Sequence, residues 1–253
     1  SMGEGFFVRL GMRYGTPGIA LALEKMAEAH VEDLILVPLY PQFSFAATES
    51  SIKKTQALVE EYIGNVKIAV VPPFYGETPF IESFAKVAAP FMAGKYDKVL
   101  FSFHGLPERQ VKKTDPSGKF CRCDTTCCAQ ITKDNQDCYR AQSYETARLL
   151  AEKLGLKKED YLVGFQSRLG RTPWIQPHSD EYYRTIAKTG VKRLLVISPS
   201  FVTDCLETLE EIQIRGREEF LANGGEELML VPSLNDSPDW VESLKKIVEK
   251  SLA

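Results

Sequence analysis

Short, continuous apolar runs alternate with amphipathic helical patterns along almost the whole chain, and this alternation limits the possible folds. Three of the runs are LILVPL, KVLFSF and RLLVIS, each of strand length. Apolar runs without interleaved polar residues are typical of strands buried on both faces, as in parallel sheets covered by helices. The sequence therefore predicts an α/β, doubly wound fold. Strands are predicted at Phe6–Leu10, Asp33–Leu39, Val66–Val71, Lys98–Phe103, Tyr161–Phe165, Val191–Ser198 and Glu227–Val231.

Helical patterns fill the intervals between these runs. Ala147, Leu150, Ala151 and Leu154 have the spacing of one helix face laid on a sheet. A break near Met92–Asp97 divides the predicted elements into two Rossmann-like halves. Helices are predicted at Gly18–Ala29, Glu49–Ile63, Pro79–Phe91, Tyr139–Leu154, Asp180–Thr189, Asp204–Ala222 and Pro238–Ser251.

The charge balance and the length of the apolar runs exclude several kinds of protein. The formal net charge is −3, with 31 basic and 34 acidic residues, so we expect no nucleic-acid partner. The apolar runs are far shorter than the roughly 20 residues of a membrane-spanning helix. No signal-peptide pattern opens the chain. We therefore expect a cytoplasmic protein in a reducing compartment, where structural disulfides are disfavoured.

One region, between Phe103 and Tyr139, has neither strand nor helical periodicity and contains most of the thiols. Long connections of this kind inside compact domains are usually functional. Its spacing C-x-C-x₃-CC-x₉-C lacks the paired C-x₂-C of a structural zinc site. An iron–sulfur cluster, zinc and thiol redox chemistry all remain open. Five of the six cysteines lie here, namely Cys121, Cys123, Cys127, Cys128 and Cys138.

Two further groups of polar residues follow predicted strands. His104 comes directly after VLFSF, and Asp204, Glu207 and Glu211 follow RLLVISPS with the spacing of one helix face. Ligands of open α/β sheets bind beyond the carboxyl ends of the strands. A histidine facing carboxylates there could bind a divalent metal or transfer protons. A histidine bonded within its own turn and a solvated acidic face are the plainer alternatives.

Six motifs in order give the chain a resemblance to the ferrochelatases. The resemblance implies a class II chelatase-like fold, with two Rossmann-like domains around a porphyrin cleft. The implied domains are residues 1–95 and 96–235, with residues 236–253 forming a helix that packs back on the first domain. The motifs are MRYGTP (12–17), LYPQFS (39–44), FSFHGLP (101–107), FQSRLGRTPWIQP (165–177), FVTDCLETLEEI (201–212) and SLND (233–236).

The resemblance implies that the protein inserts Fe²⁺ into protoporphyrin IX, the last step of haem biosynthesis. The family's essential histidine and glutamate match His104 and Glu207, which would share the roles of proton acceptor and metal ligand. Asp204 and Glu211 match neighbouring acidic positions that could pass metal or protons along the helix. The residues that match the lining of the family's pocket are Arg13, Tyr14 and Trp174.

Two departures from the family pattern concern the start of the chain and the cysteines. Ferrochelatases carry a further βα unit before the MRYG motif, and we expect this unit to be missing here, which puts the activity of this chain by itself in question. Residues 116–138 resemble an internal insertion with which one bacterial group holds a [2Fe–2S] cluster. Four of the five cysteines would be ligands, and Cys121, Cys123, Cys128 and Cys138 are favoured.

Two other functions stay open beside iron insertion into protoporphyrin. One is a chelatase for a related tetrapyrrole, coproporphyrin or sirohydrochlorin. The other is a non-catalytic iron–sulfur or haem-binding sensor, which would have no need of the His104 and Glu207 pair. A hydrophobic porphyrin would suit peripheral contact with the inner membrane, although no amphipathic helix with a basic face is evident. The sequence does not indicate an oligomeric state.

Overall fold

Two parallel β-sheets organise the chain in a computed structural model that describes residues 2–3 and 5–252. The first sheet pairs β1 with β2, and the second has the strand order β4-β3-β5-β6. Parallel strands with helical connections confirm the predicted α/β fold. The strands are β1 (Asp33–Leu36), β2 (Lys67–Val70), β3 (Lys98–His104), β4 (Tyr161–Gln166), β5 (Arg193–Ile197) and β6 (Glu227–Leu230).

Continuous apolar sequence explains why β3 and β5 occupy the centre of the second sheet. Val99, Leu100 and Phe101 of β3 are fully buried, as are Leu194 and Val196 of β5. Side chains point alternately to the two faces of a strand, so both faces of these strands are covered. The chain runs from β3 outward to β4 and then returns to β5 on the other side. This reversal places a topological switch point between β3 and β5, where ligands of such sheets bind.

Helices cover both sheets and connect successive strands. Most match the predicted intervals to within a few residues, but the short α4 was not predicted. The helices are α1 (Ile19–Glu28), α2 (Ser50–Tyr62), α3 (Thr78–Met92), α4 (Glu108–Lys112), α5 (Tyr139–Lys153), α6 (Ser179–Thr185), α7 (Leu206–Thr208), α8 (Arg217–Ala222) and α9 (Pro238–Leu252), with π-helical turns at Phe45–Glu49 and Leu209–Gly216 and 3-10 turns at Lys158–Asp160 and Ile186–Thr189.

The last helix, α9, lies against α3, which precedes the second sheet. Trp240 of α9 contacts Phe74 and Phe80, with ring centroids 5.9 and 6.0 Å apart, respectively. The Ser83 hydroxyl donates to that of Ser243 at 3.0 Å. These contacts join the end of the chain to its first half, while the division into domains at 1–95, 96–235 and 236–253 stays a prediction.

The predicted strand Phe6–Leu10 is wrong, because no described strand pairs with these residues. A β-strand is stabilised by the hydrogen bonds of its neighbour, which an apolar run cannot supply by itself. Phe6 is 46% exposed and Val8 67% exposed. The described part of the chain therefore has strands only from Asp33 onward.

The predicted helix Asp204–Ala222 is also wrong in its start and in its regularity. Its first residue is Leu206, and α7 passes after Thr208 into the π-helical turn Leu209–Gly216 before α8. A π-helical turn bonds residue i to i+5 and so changes the angle between successive side chains. Asp204 lies before the helix, so Asp204, Glu207 and Glu211 do not share one regular helical face.

No helix in the described residues is long and apolar enough to cross a membrane.

Candidate active site

His104 is the last residue of β3 and lies at the switch point between β3 and β5. Its backbone N–H donates to the Ser200 hydroxyl at 3.0 Å, and its carbonyl accepts a 2.7 Å bond from the hydroxyl of Tyr139. Ser200 follows β5, and Tyr139 opens α5. The strand end, which carries the partly exposed imidazole, is therefore fixed from both sides.

The hydrogen bond of the His104 ring leaves one nitrogen available. Nδ1 lies 2.6 Å from the carbonyl oxygen of Gly105. Because a carbonyl oxygen only accepts, Nδ1 carries the hydrogen in this contact, and Nε2 of the neutral ring keeps its lone pair. Among residues 2–3 and 5–252, no group forms a hydrogen bond with Nε2. An imidazole in this state can accept a proton or bind a metal ion.

Trp174 packs directly on the residue that follows His104. A Cβ atom at Gly105 would lie 3.2 Å from the Trp174 ring and 2.7 Å from the Gln166 carbonyl oxygen. Glycine is therefore needed for the close approach. Residues 167–177 are here called the Trp174 loop. Within this loop, the indole N–H of Trp174 donates to the Leu169 carbonyl at 2.9 Å. Backbone bonds from Glu108 and Ile175 join this loop to the turn after β3.

Glu207 reaches the same edge through Gln166, the last residue of β4. Gln166 pairs with His104 in the sheet register, and its side-chain amide donates to the Glu207 carbonyl at 2.6 Å. The buried hydroxyl of Ser102 donates to the Gln166 side-chain oxygen at 2.8 Å. The sheet interior thus fixes the start of α7 beside the end of β3. Sequence analysis did not single out Gln166, whose only sign was its position at a strand end.

The Glu207 side chain is half-buried at the N-terminus of α7, next to Cys205. Burial first, and then the Glu207 carboxylate, raise the pKa of the Cys205 thiol to about 11. Cys205 is therefore a neutral thiol near neutral pH. The backbone N–H of Cys205 donates to the Thr208 hydroxyl, which fixes this turn. The turn therefore presents the Glu207 side chain next to a neutral thiol.

Asp204 and Glu211, also predicted near the metal, bind protein groups in the structure. Asp204 accepts from the backbone N–H of Ser233 at 3.0 Å and from the Asn235 amide at 2.8 Å. Burial by itself raises the pKa of Asp204, but these bonds outweigh it and lower the pKa overall. Glu211 accepts from the backbone N–H and the hydroxyl of Ser167. Both carboxylates join loops at the sheet edge to the segment that carries Glu207.

Arg13 and Tyr14 lie in the turn before α1. The guanidinium of Arg13 lies over the Tyr14 ring, 4.7 Å from its centroid, and Tyr14 is 76% exposed. Met12 and Gly18 bridge this turn. Within the described residues, neither Arg13 nor Tyr14 hydrogen-bonds to His104 or Glu207, and their placement in a pocket stays a prediction.

The cysteine-rich segment, residues 116–138, gathers its thiols into close pairs. The Sγ atoms of Cys121 and Cys123 are 3.7 Å apart, as are those of Cys127 and Cys128. The neighbouring thiols of Cys121 and Cys128, in that order, raise the pKa of the Cys138 thiol. Cys128 and Cys138 are buried in the main hydrophobic core. The five thiols are therefore neighbours and all are free, although within the described residues they do not form a metal-binding group.

Side-chain carboxylates, instead of regular secondary structure, fix the backbone of this segment. Asp115 accepts bonds from the backbone N–H groups of Ser117, Phe120 and Cys121. Asp124 does the same for Thr126 and Cys127. The Ser117 hydroxyl first, and then the Cys121 N–H, lower the pKa of Asp115 to about 2. These carboxylates are ionised at neutral pH and fix the backbone around the thiols.

Comparison with known proteins agrees with the geometry. The family model described as ferrochelatase matches residues 1–252. A ferrochelatase of Ectopseudomonas mendocina (strain ymp) is 44% identical over 244 residues, which are 96% of this chain and 72% of that protein. A ferrochelatase of Legionella pneumophila (strain Paris) is 43% identical over 257 residues, covering 100% of this chain and 74% of that protein. The chain belongs to the ferrochelatase family.

Solved structures share the fold at low sequence identity. SirB from Bacillus subtilis, solved with Fe³⁺, has a TM-score of 0.61 and 13% identity, covering 94% of this chain and 79% of that chain. DR2241 from Deinococcus radiodurans, described as structurally similar to chelatases, has a TM-score of 0.54 and 13% identity, covering 95% of this chain and 46% of that chain. The chelatase-like fold implied by the sequence motifs is confirmed.

In this member of the ferrochelatase family, the candidate metal ligands do not form a complete metal site within the described residues. Within the described residues, no three His, Cys, Asp or Glu side chains are arranged so that they could hold a metal ion. Gln166 joins the backbone of Glu207 to the strand end that carries His104, whereas Asp204 and Glu211 bind protein groups. Iron binding by these residues stays a prediction.

Proposed function

We propose that this ferrochelatase-family enzyme inserts ferrous iron into protoporphyrin IX at the edge formed by the ends of β3 and β4 and the start of α7. The observation that carries the proposal is the free Nε2 of His104, at the switch point of the sheet and beside the turn that carries Glu207. Family membership supports the reaction, and the geometry of the edge supports the choice of residues. Fe²⁺ and the porphyrin are substrates, and haem and two protons are products.

Proton removal is the chemistry that His104 fits. Each of two pyrrole N–H groups must lose its proton before the four nitrogens can bind the metal. A neutral imidazole accepts a proton near neutral pH, and its charge is then stabilised by the carboxylate of Glu207. Glu207 is also a hard oxygen ligand suited to Fe²⁺ before its transfer. The two residues share the roles of base and metal ligand in this proposal.

The surroundings of the edge suit a flat, apolar macrocycle. Leu169 in the Trp174 loop is 79% exposed, and Leu206, beside Glu207, is 77% exposed. Large exposed apolar side chains grouped around a polar site are typical of ligand surfaces. We propose that these leucines and the face of Trp174 contact the porphyrin. Arg13 and Tyr14, which match the family's pocket, complete the proposed porphyrin-binding set.

We propose that Asp204 and Glu211 primarily support the site. Their carboxylates already accept hydrogen bonds from Asn235 and Ser233, and from Ser167, respectively. A carboxylate oxygen keeps a further lone pair, so the predicted passage of iron along these residues is compatible with that support. Direct iron binding at neutral pH is the role we assign to Glu207.

We further propose that the cysteine-rich segment holds a [2Fe–2S] cluster, an electron-transfer group. Two sulfurs on one tetrahedral metal with bonds of about 2.3 Å lie about 3.8 Å apart, and the pairs Cys121–Cys123 and Cys127–Cys128 are both at 3.7 Å. The Cys121–Cys123 distance supports these two as ligands of one iron, and the buried Cys128 and Cys138 are the favoured ligands of the other. Zinc and thiol redox chemistry are the alternatives.

Charge at the thiols also fits a group bound by thiolates. The Cys138 thiol, and then the Arg140 guanidinium, lower the pKa of Cys128 to about 6 against the effect of burial. Cys123 and Cys138 lower the pKa of Cys121 strongly, and the same contacts raise the pKa values of Cys123 and Cys138, whose protons would be released on metal binding. Thiolates, not thiols, are the ligands of iron–sulfur clusters.

The visible absorption spectrum of the protein, purified without oxygen and measured before and after dithionite, tests the cluster. We expect broad visible bands that bleach on reduction, and iron and sulfide in equal amounts. A colourless protein with stoichiometric zinc would establish the zinc alternative instead. A colourless protein without metal would leave thiol redox chemistry.

The rate of anaerobic iron insertion into three macrocycles tests the enzymatic proposal. We expect protoporphyrin IX to be the fastest substrate, ahead of coproporphyrin and sirohydrochlorin. A faster rate with either of the others would assign the enzyme to that tetrapyrrole. Tight binding of haem without insertion into any of the three would favour the sensor.

A cytoplasmic location with peripheral contact at the inner membrane is the location we propose. An insoluble apolar product and the exposed leucines at the edge support it. Flotation of the protein with and without anionic lipid vesicles measures that contact.

A further inference from the structure

The cysteine-rich segment and the active-site edge meet at the first turn of α5. Cys138, the last of the clustered thiols, immediately precedes Tyr139 and Arg140. All three side chains are buried, with exposed fractions of 5%, 6% and 2%. Three consecutive residues thus enter the interior where a solvent-exposed helix start would be usual. Each of them contacts a different part of the molecule.

Arg140 donates hydrogen bonds to two separate loops. Its Nη1 lies 2.6 Å from the carbonyl oxygen of Asp124, between the thiols Cys123 and Cys127. Its Nε and Nη2 lie 3.1 and 2.8 Å from the carbonyl oxygen of Gln176, in the Trp174 loop. The planar guanidinium has donors in fixed directions, so its two acceptors are held in a fixed relation. A shift of either loop changes the other through this one group.

The buried charge of Arg140 depends on the acceptors that the two loops provide. Within the described residues, no carboxylate lies within ion-pair distance of this buried guanidinium. A buried cation is costly unless an anionic or strongly polar group compensates it. Its partners are the carbonyl oxygens of Asp124 and Gln176 and the Tyr144 hydroxyl, which accepts from Nη2 at 3.2 Å. Loss of either loop's carbonyl oxygen would therefore leave a buried cation short of an acceptor.

Tyr139 forms the parallel contact to the catalytic strand. Its hydroxyl donates to the backbone carbonyl of His104, and the phenol is buried beneath the sheet edge. This bond acts on the backbone and does not involve the imidazole. The thiol segment is thus joined to the end of β3 by Tyr139 and to the Trp174 loop by Arg140. Only the second of these contacts depends on charge.

We propose that Arg140 is a positioning residue that couples the cysteine-rich segment to the Trp174 loop, so that the conformation of the segment sets the porphyrin-binding geometry. This inference rests on the proposed function and adds a residue that contacts neither substrate. Trp174 packs on Gly105, while His104 is held by other bonds. Arg140 therefore acts mainly on porphyrin binding and less on the chemical step.

The test compares Arg140→Met and Arg140→Lys with Arg148→Met. Arg148 lies further along the same helix and forms exposed ion pairs with Glu145 and Glu152, so it is a matched control. The chain has two tryptophans. All proteins therefore carry Trp240→Phe, which leaves Trp174 as the only emitting indole. The readouts are the KM for protoporphyrin IX, kcat, and the emission maximum and acrylamide quenching of Trp174.

We expect Arg140→Met to raise the porphyrin KM about tenfold, since it removes charge-assisted hydrogen bonds to the loop. We expect kcat to change less than KM, and Trp174 to become more accessible to acrylamide. Arg140→Lys should give a porphyrin KM between those of the parent and Arg140→Met, because an ammonium lacks the fixed arrangement of guanidinium donors. Arg148→Met should match the parent protein in every readout.

A changed kcat with unaltered KM and unaltered Trp174 emission would overturn the inference. So would equal effects of Arg148→Met, which would indicate a general loss of helix stability. If Arg140→Met does not fold, Arg140→Lys is the deciding variant, and wild-type KM and emission in that variant would overturn the inference. If the parent protein inserts no iron, the proposed function fails, whereas the Trp174 emission still tests the coupling.

Discussion

The sheet edge with His104 and the cysteine-rich segment are held in place by different physical means. At the edge, buried strands fix the backbone, and polar side chains such as Ser102 and Gln166 connect it to α7. In the segment, where strands and long helices are absent from the described residues, Asp115, Asp124 and Asn135 bind the backbone around the thiols. The edge depends on burial, and the segment depends on carboxylate acceptors and on the amide of Asn135, which donates to the Cys127 carbonyl. The two regions should therefore fail under different perturbations.

The largest effect is expected at the edge, from Glu207→Gln. The substitution preserves shape and removes the negative charge that stabilises a protonated His104 or holds Fe²⁺. Loss of a general acid–base or ligand group typically lowers kcat by about 10² to 10⁴. Steady-state iron insertion with protoporphyrin IX measures the loss.

Glu210→Gln is the matched control for Glu207→Gln. Glu210 lies on the same segment and pairs with Arg215 at 2.6 Å at the surface. We expect a nearly unchanged rate in this variant. An equal loss in both variants would show that the net charge of the segment, and not Glu207 itself, is what matters.

A smaller effect is expected from Gly105→Ala. The new Cβ would lie 2.7 Å from the Gln166 carbonyl oxygen, so the turn after β3 must shift and carry Trp174 with it. We expect a destabilisation of about 1–3 kcal/mol by overpacking and a loss of activity of about ten- to a hundredfold by misplacement of the site. Urea unfolding and insertion kinetics measure the two effects.

Gly76→Ala provides the comparison for Gly105→Ala. A Cβ there would meet only the Leu149 side chain at 3.5 Å, an ordinary contact. Its stability and rate should stay close to those of the parent protein. Wild-type behaviour of Gly105→Ala itself would contradict the packing that we assign to Trp174.

The smallest effect is expected in the segment, from Asp115→Ala. The carboxylate accepts bonds from Phe120 and Cys121, so its removal should lower the hydrogen-exchange protection of these two amides several-fold. Asp134→Ala, at an exposed position of the segment, should leave that protection unchanged. Equal protection of both amides in the parent and the Asp115 variant would show that the thiols are placed by other contacts.

The pH dependence of the same protection follows from the pKa of Asp115. That pKa is lowered to about 2 from the ordinary value of 3.8. A group with a lowered pKa in the folded state stabilises that state above its unfolded pKa and loses the effect as the pH falls. Protection should thus be constant above about pH 4 and decrease toward pH 2. The Asp115→Ala variant should lack this additional decrease.

Much of the fold can be predicted from local sequence, because a strand that is buried on both faces needs an uninterrupted apolar run. The run Val99–Phe103 predicts β3, and the polar residue that ends it, His104, is at the predicted edge. The apolar run Phe6–Leu10 has the same kind of sequence but lacks a described partner strand. Apolar sequence can therefore indicate a strand without determining whether a neighbour pairs with it.

The candidate site was only partly predictable, because its supporting contacts join distant parts of the chain. Gln166 contacts Glu207, and Arg140 contacts Gln176, across long separations in sequence. No local pattern distinguishes these residues from other polar residues. The π-helical turn Leu209–Gly216 could not be predicted from the sequence either, because its spacing departs from the regular helical periodicity on which the acidic face was predicted. Clustering of the thiols, in contrast, was evident from their short spacing.

The initial rate of anaerobic iron insertion into protoporphyrin IX, compared between the parent protein, His104→Ala and His30→Asn, tests the central claim most directly. His30 is exposed and has a positive φ of 52°, which asparagine accommodates, so this variant controls for loss of a histidine. We expect the parent and His30→Asn to insert iron at equal rates and His104→Ala to be slower by at least about a hundredfold, with unchanged circular dichroism. Insertion by His104→Ala at the parent rate would contradict the assignment of the active site to this edge.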